Sequence, residues 1–292
     1  MDDARIAPDA EVGVLGAGTM GAGIAQVAAV AGHPVVLFDV APAQLERARA
    51  QIAGQLAREA AKGRLTADAA AAAEGRLRLA GDLAACAGCW LVVEAAPERI
   101  ELKQALFADL EAVVAPDAML ATNTSTLSVA AIGARLGRPE RLVGLHFFNP
   151  APVMPLVEVI RGPATADAVA RTAAATMHAW GKTPIEVRDT PGFVVNRVAR
   201  PFYGEALRLL GEGAADVATI DRLARDGGFP MGPFELMDLI GIDVNFAAAQ
   251  SVYEGFFHDP RFRPHPIQRH MVESGRLGRK TGRGYYDHGA PA

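Results

Sequence analysis

An imidazole and a carboxylate that could move a proton lie on either side of a proline-rich segment. His146 begins the segment His146–Pro150, and Glu158 interrupts the apolar run Leu156–Ile160. If the two flanks pair as a hairpin centred on Pro152, residues 146 and 158 face each other, and opposed side chains lie close enough to hydrogen-bond. A carboxylate on one imidazole nitrogen fixes the tautomer and makes the other nitrogen a better proton acceptor for an alcohol. A satisfied core histidine and an ordinary ion pair are the alternative interpretations of the two residues.

A glycine-rich turn near the amino terminus has the spacing of a dinucleotide site. An apolar run ends at Leu15, the sequence Gly-Ala-Gly-Thr-Met-Gly occupies residues 16–21, a helical pattern follows, and a second apolar run ends at Asp39. The first glycine permits a tight turn, the second admits a pyrophosphate, and the third lets the helix pack against the sheet, with its free N–H groups toward phosphate oxygens. A carboxylate at the second strand end accepts hydrogen bonds from ribose hydroxyls and repels a 2′-phosphate, which favours NAD over NADP. We assign cofactor binding to Gly16, Gly18, Thr19, Met20, Gly21 and Asp39.

The elements around these residues alternate between strands and helices. Further strands are predicted over residues 90–94, 119–122 and 142–148, and helices over 42–61, after Thr66, and from Pro97 to Val113. This alternation predicts an α/β fold of the Rossmann type, with a doubly wound, mostly parallel sheet. Such sheets bind ligands outside the carboxyl ends of their strands. The side chains that fall at or just after predicted strand ends are Glu98, Asn123, Ser125 and His146, although Ser125 could instead cap a helix that begins near Leu127.

The pattern becomes helical after a linker at residues 189–192. We therefore predict two domains, a nucleotide-binding domain over residues 1–189 that carries the His–Glu pair and an all-α carboxyl-terminal domain over residues 190–292. Asn196 lies in the first turns of the first helix, where its side chain could also simply bond the helix start. Pro233 begins a later helix, at the first helical position that proline favours.

Composition narrows the class of protein. The 292 residues are 50% hydrophobic with a net charge of −4, which supports packed cores and argues against binding to nucleic acid or an anionic membrane. No apolar run reaches the roughly 18 residues of a membrane span, and the short acidic start is unlike a signal peptide, so we expect a cytoplasmic protein. Cys86 and Cys89 could form a redox motif or half a metal site, but two reduced thiols beside a buried strand is the simpler interpretation, and no metal is predicted.

Seven sequence blocks together carry a resemblance to a known family. The chain resembles the 3-hydroxyacyl-CoA dehydrogenases, and especially the bacterial 3-hydroxybutyryl-CoA dehydrogenases, over nearly its whole length. Besides the glycine turn, the blocks are Asn123–Ser125, Gly144–Pro150, Pro152–Met154 with Leu156–Val159, Asp189–Arg197, Pro230–Glu235 and Gly278–Tyr286.

The resemblance implies a role for each matching residue. His146 matches the catalytic base and Glu158 its orienting partner, while Ser125 and Asn196 match residues that bind the substrate oxygen or position the base. Glu98 and Lys103 match residues near the nicotinamide ribose, and Asn123 is assigned to the cofactor with them. Lys62 matches a lysine that contacts CoA, on helix-end alignment rather than a sharp motif, and Asn149 is assigned to the substrate. The implied substrate is an acyl-CoA, and the implied assembly is a homodimer formed through the helical domain.

Two other functions remain open at this point. A dehydrogenase of free hydroxy acids could have the same architecture, but one such class has a lysine four residues before the asparagine, where this chain has Gly192. A catalytically silent NAD-binding protein is the second alternative, and the presence of both His146 and Glu158 argues against it.

Overall fold

The computed structural model describes residues 5–289, and the chain divides between Asp189 and Thr190 into two compact units. The first unit is built on one eight-stranded sheet with the strand order β3-β2-β1-β4-β5-β6-β7-β8. The strands are β1 (Val12–Leu15), β2 (Val35–Phe38), β3 (Leu77–Ala80), β4 (Leu91–Glu94), β5 (Met119–Thr122), β6 (Leu142–Phe147), β7 (Leu156–Arg161) and β8 (Thr183–Arg188).

Strands β1 to β6 are parallel, and β7 pairs antiparallel with β6 and parallel with β8. The helices of this unit are α1 (Thr19–Val30), α2 (Pro42–Ala61), α3 (Ala67–Gly75), α4 (Ile100–Glu111), α5 (Val129–Ile132) and α6 (Asp167–Ala179). The strand order reverses between β1 and β4, so helices cover both faces of the sheet and the predicted doubly wound α/β fold is confirmed.

Local sequence explains the central elements. β1, β2, β4 and β5 are short runs in which all four residues are buried, as expected for parallel strands covered on both faces. Helix α2 has Pro42 at its start and ends at Ala61, the bounds that the sequence predicts. The hydroxyl of Thr66 accepts a hydrogen bond from the backbone N–H of Ala69 at 3.1 Å, which confirms the predicted cap of α3.

The predicted hairpin is present at the last parallel strand. β6 and β7 pair in the register that sets His146 directly opposite Glu158. Lys182 stabilises the turn between them. Its ammonium donates to the carbonyl oxygens of Ala151 at 2.5 Å and Met154 at 3.0 Å. Because Lys182 is buried, these bonds compensate its ammonium for the loss of water.

The differences from the sequence prediction lie mainly at the edges of the sheet. β3, α6 and β8 are not predicted; β3 and β8 mix polar and apolar residues and lack the continuous apolar runs of the central strands. Helix α4 begins at Ile100 rather than at Pro97. The alternative interpretation of Ser125 as a helix cap is wrong: Ser128 caps α5 by accepting from the N–H of Ala131 at 3.2 Å.

The second unit is helical in the part that the structure describes, apart from two isolated β-bridges at residues 278–287. Its helices are α7 (Val195–Gly211), α8 (Val217–Asp226), α9 (Pro233–Ile240), α10 (Ile242–Gly255) and α11 (Pro266–Glu273). Helix α9 begins at Pro233, as predicted. Over residues 5–289, every helix is too short or too polar to span a lipid bilayer.

Candidate active site

The glycine turn between β1 and α1 has the shape that the sequence predicts. Gly16 has a φ of +99°, and a Cβ atom there would lie 2.8 Å from the carbonyl oxygen of Ala95. A Cβ at Gly21 would overlap the carbonyl oxygen of Gly16, whereas a Cβ at Gly18 would meet no atom within 4 Å. Gly16 and Gly21 are therefore glycines because of the fold, while Gly18 faces open space at the start of a helix.

Asp39 lies at the end of β2 and is bonded to the glycine turn. Its Oδ2 accepts from the N–H of Ala17 at 2.8 Å, and its Oδ1 accepts from the N–H of Ala41 at 2.9 Å. Gln44 donates from its side chain to the carbonyl oxygen of Ala17 at 2.8 Å. Both backbone groups of Ala17 are thus fixed, so the turn is held rigid beside a half-buried carboxylate.

These features fit a dinucleotide on physical grounds. The first backbone N–H groups of α1, those of Thr19 and Met20 among them, have no partner within the helix, as at every helix start. Together with the helix dipole and the open space at Gly18, they form a place for a pyrophosphate. Asp39 retains lone pairs for ribose hydroxyls beyond the two bonds it accepts from the backbone.

Glu98 holds the loop that follows β5. Its Oε1 accepts from the hydroxyl of Thr124 at 2.6 Å and from the backbone N–H groups of Ser125 at 2.8 Å and Thr126 at 3.1 Å. Burial by itself would raise the pKa of Glu98, but Lys103 and these hydrogen bonds outweigh it, so the pKa lies below its usual range. Glu98 is therefore an ionised clamp on the segment that carries Ser125.

Lys103 connects Glu98 to a second, fully buried carboxylate. Its Nζ lies 2.6 Å from Oε1 of Glu94 and 3.3 Å from Oε2 of Glu98. The other oxygen of Glu94 accepts from the hydroxyl of Thr122 at 2.6 Å. Lys103 also donates to the carbonyl oxygen of Ala96 at 3.2 Å and is only 1% exposed. From this position Lys103 holds Glu98 in place. The direct contact of Lys103 with the cofactor stays a prediction.

His146 and Glu158 meet as the hairpin requires. Nδ1 of His146 lies 2.7 Å from Oε2 of Glu158, and both side chains are buried. The carboxylate can only accept a hydrogen bond, so Nδ1 carries the proton and Nε2 is the basic nitrogen. The Oδ1 atom of Asn123 accepts from the backbone N–H of Phe147 at 2.8 Å, which connects the end of β5 to the strand that carries the histidine.

The strand register brings these groups to one edge of the sheet. Glu94, at the end of β4, pairs with Leu15 on one side and with Thr122 on the other, and Thr122 pairs with Gly144. The glycine turn and the loop held by Glu98 therefore follow the carboxyl ends of neighbouring strands, and His146 lies one residue before the carboxyl end of β6. Doubly wound sheets bind their ligands at this edge. This edge can bind a dinucleotide and can transfer a proton beside it.

Comparison with known families agrees with this geometry. A family model described as the NAD binding domain of 3-hydroxyacyl-CoA dehydrogenase matches residues 11–190. The chain belongs to the 3-hydroxyacyl-CoA dehydrogenase family. A second model, for the carboxyl-terminal domain of the same family, matches residues 192–288. The dinucleotide for which the glycine turn is shaped is therefore NAD.

Individual members of the family are similar over nearly the whole chain. A 3-hydroxyadipyl-CoA dehydrogenase of Escherichia coli (strain K12) is 51% identical over 94% of this chain, which spans 58% of that relative. A 3-hydroxybutyryl-CoA dehydrogenase of Bradyrhizobium diazoefficiens is 44% identical over 95% of each chain. The crystal structure of (S)-3-hydroxybutyryl-CoA dehydrogenase from Ralstonia eutropha has a TM-score of 0.92 at 41% identity, covering 96% of this chain and 99% of that one.

The family resemblance assigns three further residues to the substrate, two in the first unit and one in the second. Asn149 is exposed just beyond β6, and Lys62 is exposed at the end of α2, 4.0 Å from Glu59. Asn196 lies in the first turn of α7, in the second unit, where its side chain contacts Arg200.

Sequence reasoning missed Glu94 and Arg200. Glu94 could have been found by the signal that identified Glu158, a carboxylate inside an apolar strand, whereas Arg200 has no such local signal. In the part of the chain that the structure describes, no group of His, Cys, Asp and Glu side chains is suited to a metal ion.

Proposed function

We propose that this member of the 3-hydroxyacyl-CoA dehydrogenase family interconverts an (S)-3-hydroxyacyl-CoA and a 3-oxoacyl-CoA, with NAD as the redox partner and His146 as the proton-transferring residue. The observation that carries the proposal is the 2.7 Å bond between the buried side chains of His146 and Glu158. A buried imidazole in a fixed tautomer is what a base for an alcohol proton requires.

NAD, when bound, supplies the acceptor for the hydride that leaves C3 of the substrate. In the same oxidation, Nε2 of His146 takes the proton of the 3-hydroxyl, so the C–H and O–H bonds break and a C=O bond forms. Glu158 stabilises the imidazolium that results. In the reverse direction, the imidazolium returns this proton to the oxygen at C3.

Other residues would position the reacting groups. We assign the hydroxyl of Ser125 and the amide of Asn196 to the substrate oxygen, because the family resemblance places them there and Glu98 fixes the loop of Ser125. A substrate held at two points loses little freedom on reaching the transition state. Asn149 is proposed to bind the acyl portion and Lys62 the CoA portion.

The nucleotide is proposed to lie along the carboxyl edge of the sheet. Gly16, Gly18 and Gly21 shape the turn, the N–H groups of Thr19 and Met20 bind phosphate oxygens, and Asp39 binds a ribose. Glu98, positioned by Lys103, and Asn123 are proposed to face the nicotinamide ribose. The carboxylate of Asp39 would repel a 2′-phosphate, so NAD is preferred over NADP.

The acyl chain is proposed to be short. Relatives with 41–44% identity include 3-hydroxybutyryl-CoA dehydrogenases, and the relative with 51% identity is a 3-hydroxyadipyl-CoA dehydrogenase. These two acyl groups differ in length and in what stands at the far end, a methyl group in one and a carboxylate in the other. Both keep a hydroxyl at C3, so the proposed chemistry is the same for each.

The assembly is proposed to be a homodimer in the cytoplasm. The second unit exposes several large apolar side chains, which is typical of a surface that another chain covers; examples are Val198, Leu223, Phe229, Val244 and Phe257. Cys86 and Cys89 are free buried thiols, as is usual in a reducing compartment. Light scattering of the purified protein tests the dimer, and a mass of about 31 kDa, that of one chain, would contradict it.

The function is tested by following NADH absorbance with acetoacetyl-CoA as the substrate. We expect turnover with the thioester and NADH, and much slower turnover with free acetoacetate or with NADPH. Turnover of free acetoacetate at an equal rate would instead indicate a hydroxy-acid dehydrogenase. Binding of NADH without turnover of any 3-oxoacyl-CoA would indicate a silent NAD-binding protein.

A further inference from the structure

Arg200 is a buried cation whose contacts are all with neutral groups. It lies in α7, one turn after Asn196, and is 7% exposed. Its Nε donates to the carbonyl oxygen of Asn196 at 3.3 Å, and its Nη1 donates to the carbonyl oxygen of Asn245 at 2.9 Å. Within residues 5–289, no Asp or Glu is hydrogen-bonded or ion-paired with it. Buried charges are normally paired with an opposite charge. The surroundings of this guanidinium are therefore typical of a site that binds an anion.

The side-chain contacts of Arg200 are long enough to be exchanged for stronger ones. Its Nη2 lies 3.4 Å from Oδ1 of Asn196, and its Nη1 lies 3.5 Å from Oδ1 of Asn245. Both distances are at the limit of a hydrogen bond. A carboxylate that approached the guanidinium would replace them with short, charge-assisted bonds.

Asn245 supplies an independent sign of a missing acceptor. Its Nδ2 atom is buried and has no hydrogen-bond partner among the described residues. Exchanging the nitrogen and oxygen positions of the Asn245 amide does not remove the problem, because its Oδ1 accepts a hydrogen bond from Nε2 of Gln268 at 2.9 Å. A buried N–H group without an acceptor is costly, and here it stands beside a guanidinium that also lacks an anion.

The two groups line a pocket that contains several donors. It is a small cavity of about 20 Å³, with room for one small polar group, and none of its described lining residues is Asp or Glu. The lining residues that can donate include Arg200, Tyr203, Asn245, Arg261, Arg263 and His265. The Nδ1 atom of His265 accepts from the N–H of Ile267 at 3.3 Å, so its Nε2 carries the proton and donates as well. The pocket is therefore suited to an anion.

The distance from Asn196 indicates which anion. Residues four apart on a helix are separated by about 6 Å along its axis. With the 3-oxygen of the substrate at Asn196, a six-carbon dicarboxylic acyl chain places its terminal carboxyl carbon three bonds beyond C3, roughly 4 Å away at about 1.5 Å per bond. A four-carbon chain ends one bond beyond C3 and stays short of Arg200. The phosphates of CoA leave from the opposite end of the acyl chain, at the thioester.

We propose that Arg200 and Asn245 bind the terminal carboxylate of a dicarboxylic 3-hydroxyacyl-CoA and so determine the substrate class of this enzyme. The inference rests on the proposed function, because it requires the substrate oxygen at Asn196. The substrate in the name of the 51%-identical relative, 3-hydroxyadipyl-CoA, has this chemistry.

The test compares two substrates of equal length within each enzyme. The ratio of kcat/KM for 3-hydroxyadipyl-CoA to that for 3-hydroxyhexanoyl-CoA measures the effect of the carboxylate, and any loss of folded enzyme cancels in it. In the wild type we expect a ratio of at least about 10, because sites built to bind a polar group strongly reject analogues that lack it. In R200M the ratio should fall below one, since the uncharged side chain suits a methyl end better.

A second variant tests the proposal without requiring that R200M folds. N245D is nearly isosteric and places a carboxylate beside Arg200, so it should neutralise the guanidinium, repel the substrate carboxylate and lower the ratio at least about tenfold. R222M is the matched control, because Arg222 is an exposed arginine on α8 and should leave the ratio at its wild-type value.

The outcomes separate this inference from the proposed function. A wild-type ratio near or below one, or an unchanged ratio in N245D, overturns the inference even if R200M does not fold. Turnover of acetoacetyl-CoA by the wild type in that case leaves the proposed function standing. Absence of turnover with every 3-oxoacyl-CoA would overturn the proposed function and this inference with it.

Discussion

Nδ1 of His146 and Oε2 of Glu158 are 2.7 Å apart and belong to directly opposed residues of β6 and β7. Glu158 is fully buried, so its carboxylate cannot turn to water. The backbone hydrogen bonds of the hairpin therefore fix the distance between the two side chains, and the imidazole has one orientation and one tautomer. The proposed chemistry depends on this constraint.

Replacing His146 by Gln should lower kcat by at least about 100-fold, the usual effect of losing a general acid–base residue. Affinity for NADH should stay close to that of the wild type, because the histidine is not assigned to the cofactor. Steady-state NADH absorbance gives kcat, and a fluorescence titration gives the affinity. Unchanged turnover would remove the proposed mechanism.

Replacing Glu158 by Gln should lower kcat by roughly 10²- to 10⁴-fold, because an amide in place of the carboxylate behind a catalytic histidine lowers kcat by up to about 10⁴-fold. The amide can still accept from Nδ1, but it has no charge to stabilise the imidazolium. E186Q is a suitable control, because Glu186 is an exposed glutamate on the neighbouring strand β8. Equal kcat values for E158Q and E186Q would show that the buried charge is unimportant.

Glu98 makes the stability of the first unit depend on pH in a defined direction. Its pKa is lowered in the folded state from an ordinary value of 4.5, because Lys103 and the loop N–H groups outweigh burial. Such a carboxylate contributes stability above pH 4.5 and loses it as the pH falls through the folded pKa. Its side chain is 37% exposed, so we expect a contribution of about 1 kcal/mol or less.

The corresponding measurement compares the free energies of unfolding of the wild type and E98Q across pH. The wild type should be more stable at pH 7, and the difference should shrink once the pH falls below 4.5. E101Q, which changes an exposed glutamate in the first turn of α4, should show no such trend. A difference between wild type and E98Q that is constant with pH would mean that the charge of Glu98 does not contribute.

Asp39 should determine the choice of cofactor. Changing it to Asn keeps an oxygen for the N–H of Ala17, 2.8 Å away in the wild type, but removes the charge that repels a 2′-phosphate. We expect kcat/KM for NAD to fall by roughly 10- to 100-fold, as when a charged hydrogen-bonding group is lost, and the ratio of NAD to NADP activity to fall further. A wild type that prefers NADPH would contradict the role of Asp39.

The parts of this site that were predictable depend on residues close together in sequence. The glycine turn spans six positions, and the twelve-residue spacing of His146 and Glu158 fits one hairpin register. The sequence also predicted the types of the elements correctly where apolar runs were continuous, as in β4 and β5. Both signals are local, so neither required knowledge of which distant segments meet.

The unpredicted parts depend on contacts between distant segments. Glu98 binds the loop after β5 across 26 to 28 positions of sequence, and Arg200 meets Asn245 across 45 positions. No spacing rule indicates that such residues will be neighbours. The strands β3 and β8 escaped prediction for a related reason: they lie at the edges of the sheet, where half-exposed positions admit polar residues and obscure the apolar pattern.

Two glycines of the same turn should respond in opposite ways to one added methyl group. Gly21→Ala would force a Cβ into the carbonyl oxygen of Gly16, whereas Gly18→Ala would place its Cβ in open space. G21A should therefore lower the melting temperature by several degrees, as expected for a loss of one or more kcal/mol. G18A should melt like the wild type but bind NADH more weakly, because its methyl group occupies the place proposed for the pyrophosphate.

Thermal unfolding and an NADH fluorescence titration on both variants separate the two effects. Wild-type NADH affinity in G18A would mean that the cofactor does not pass over this turn, and the assignment of the glycine turn to the pyrophosphate would have to be withdrawn.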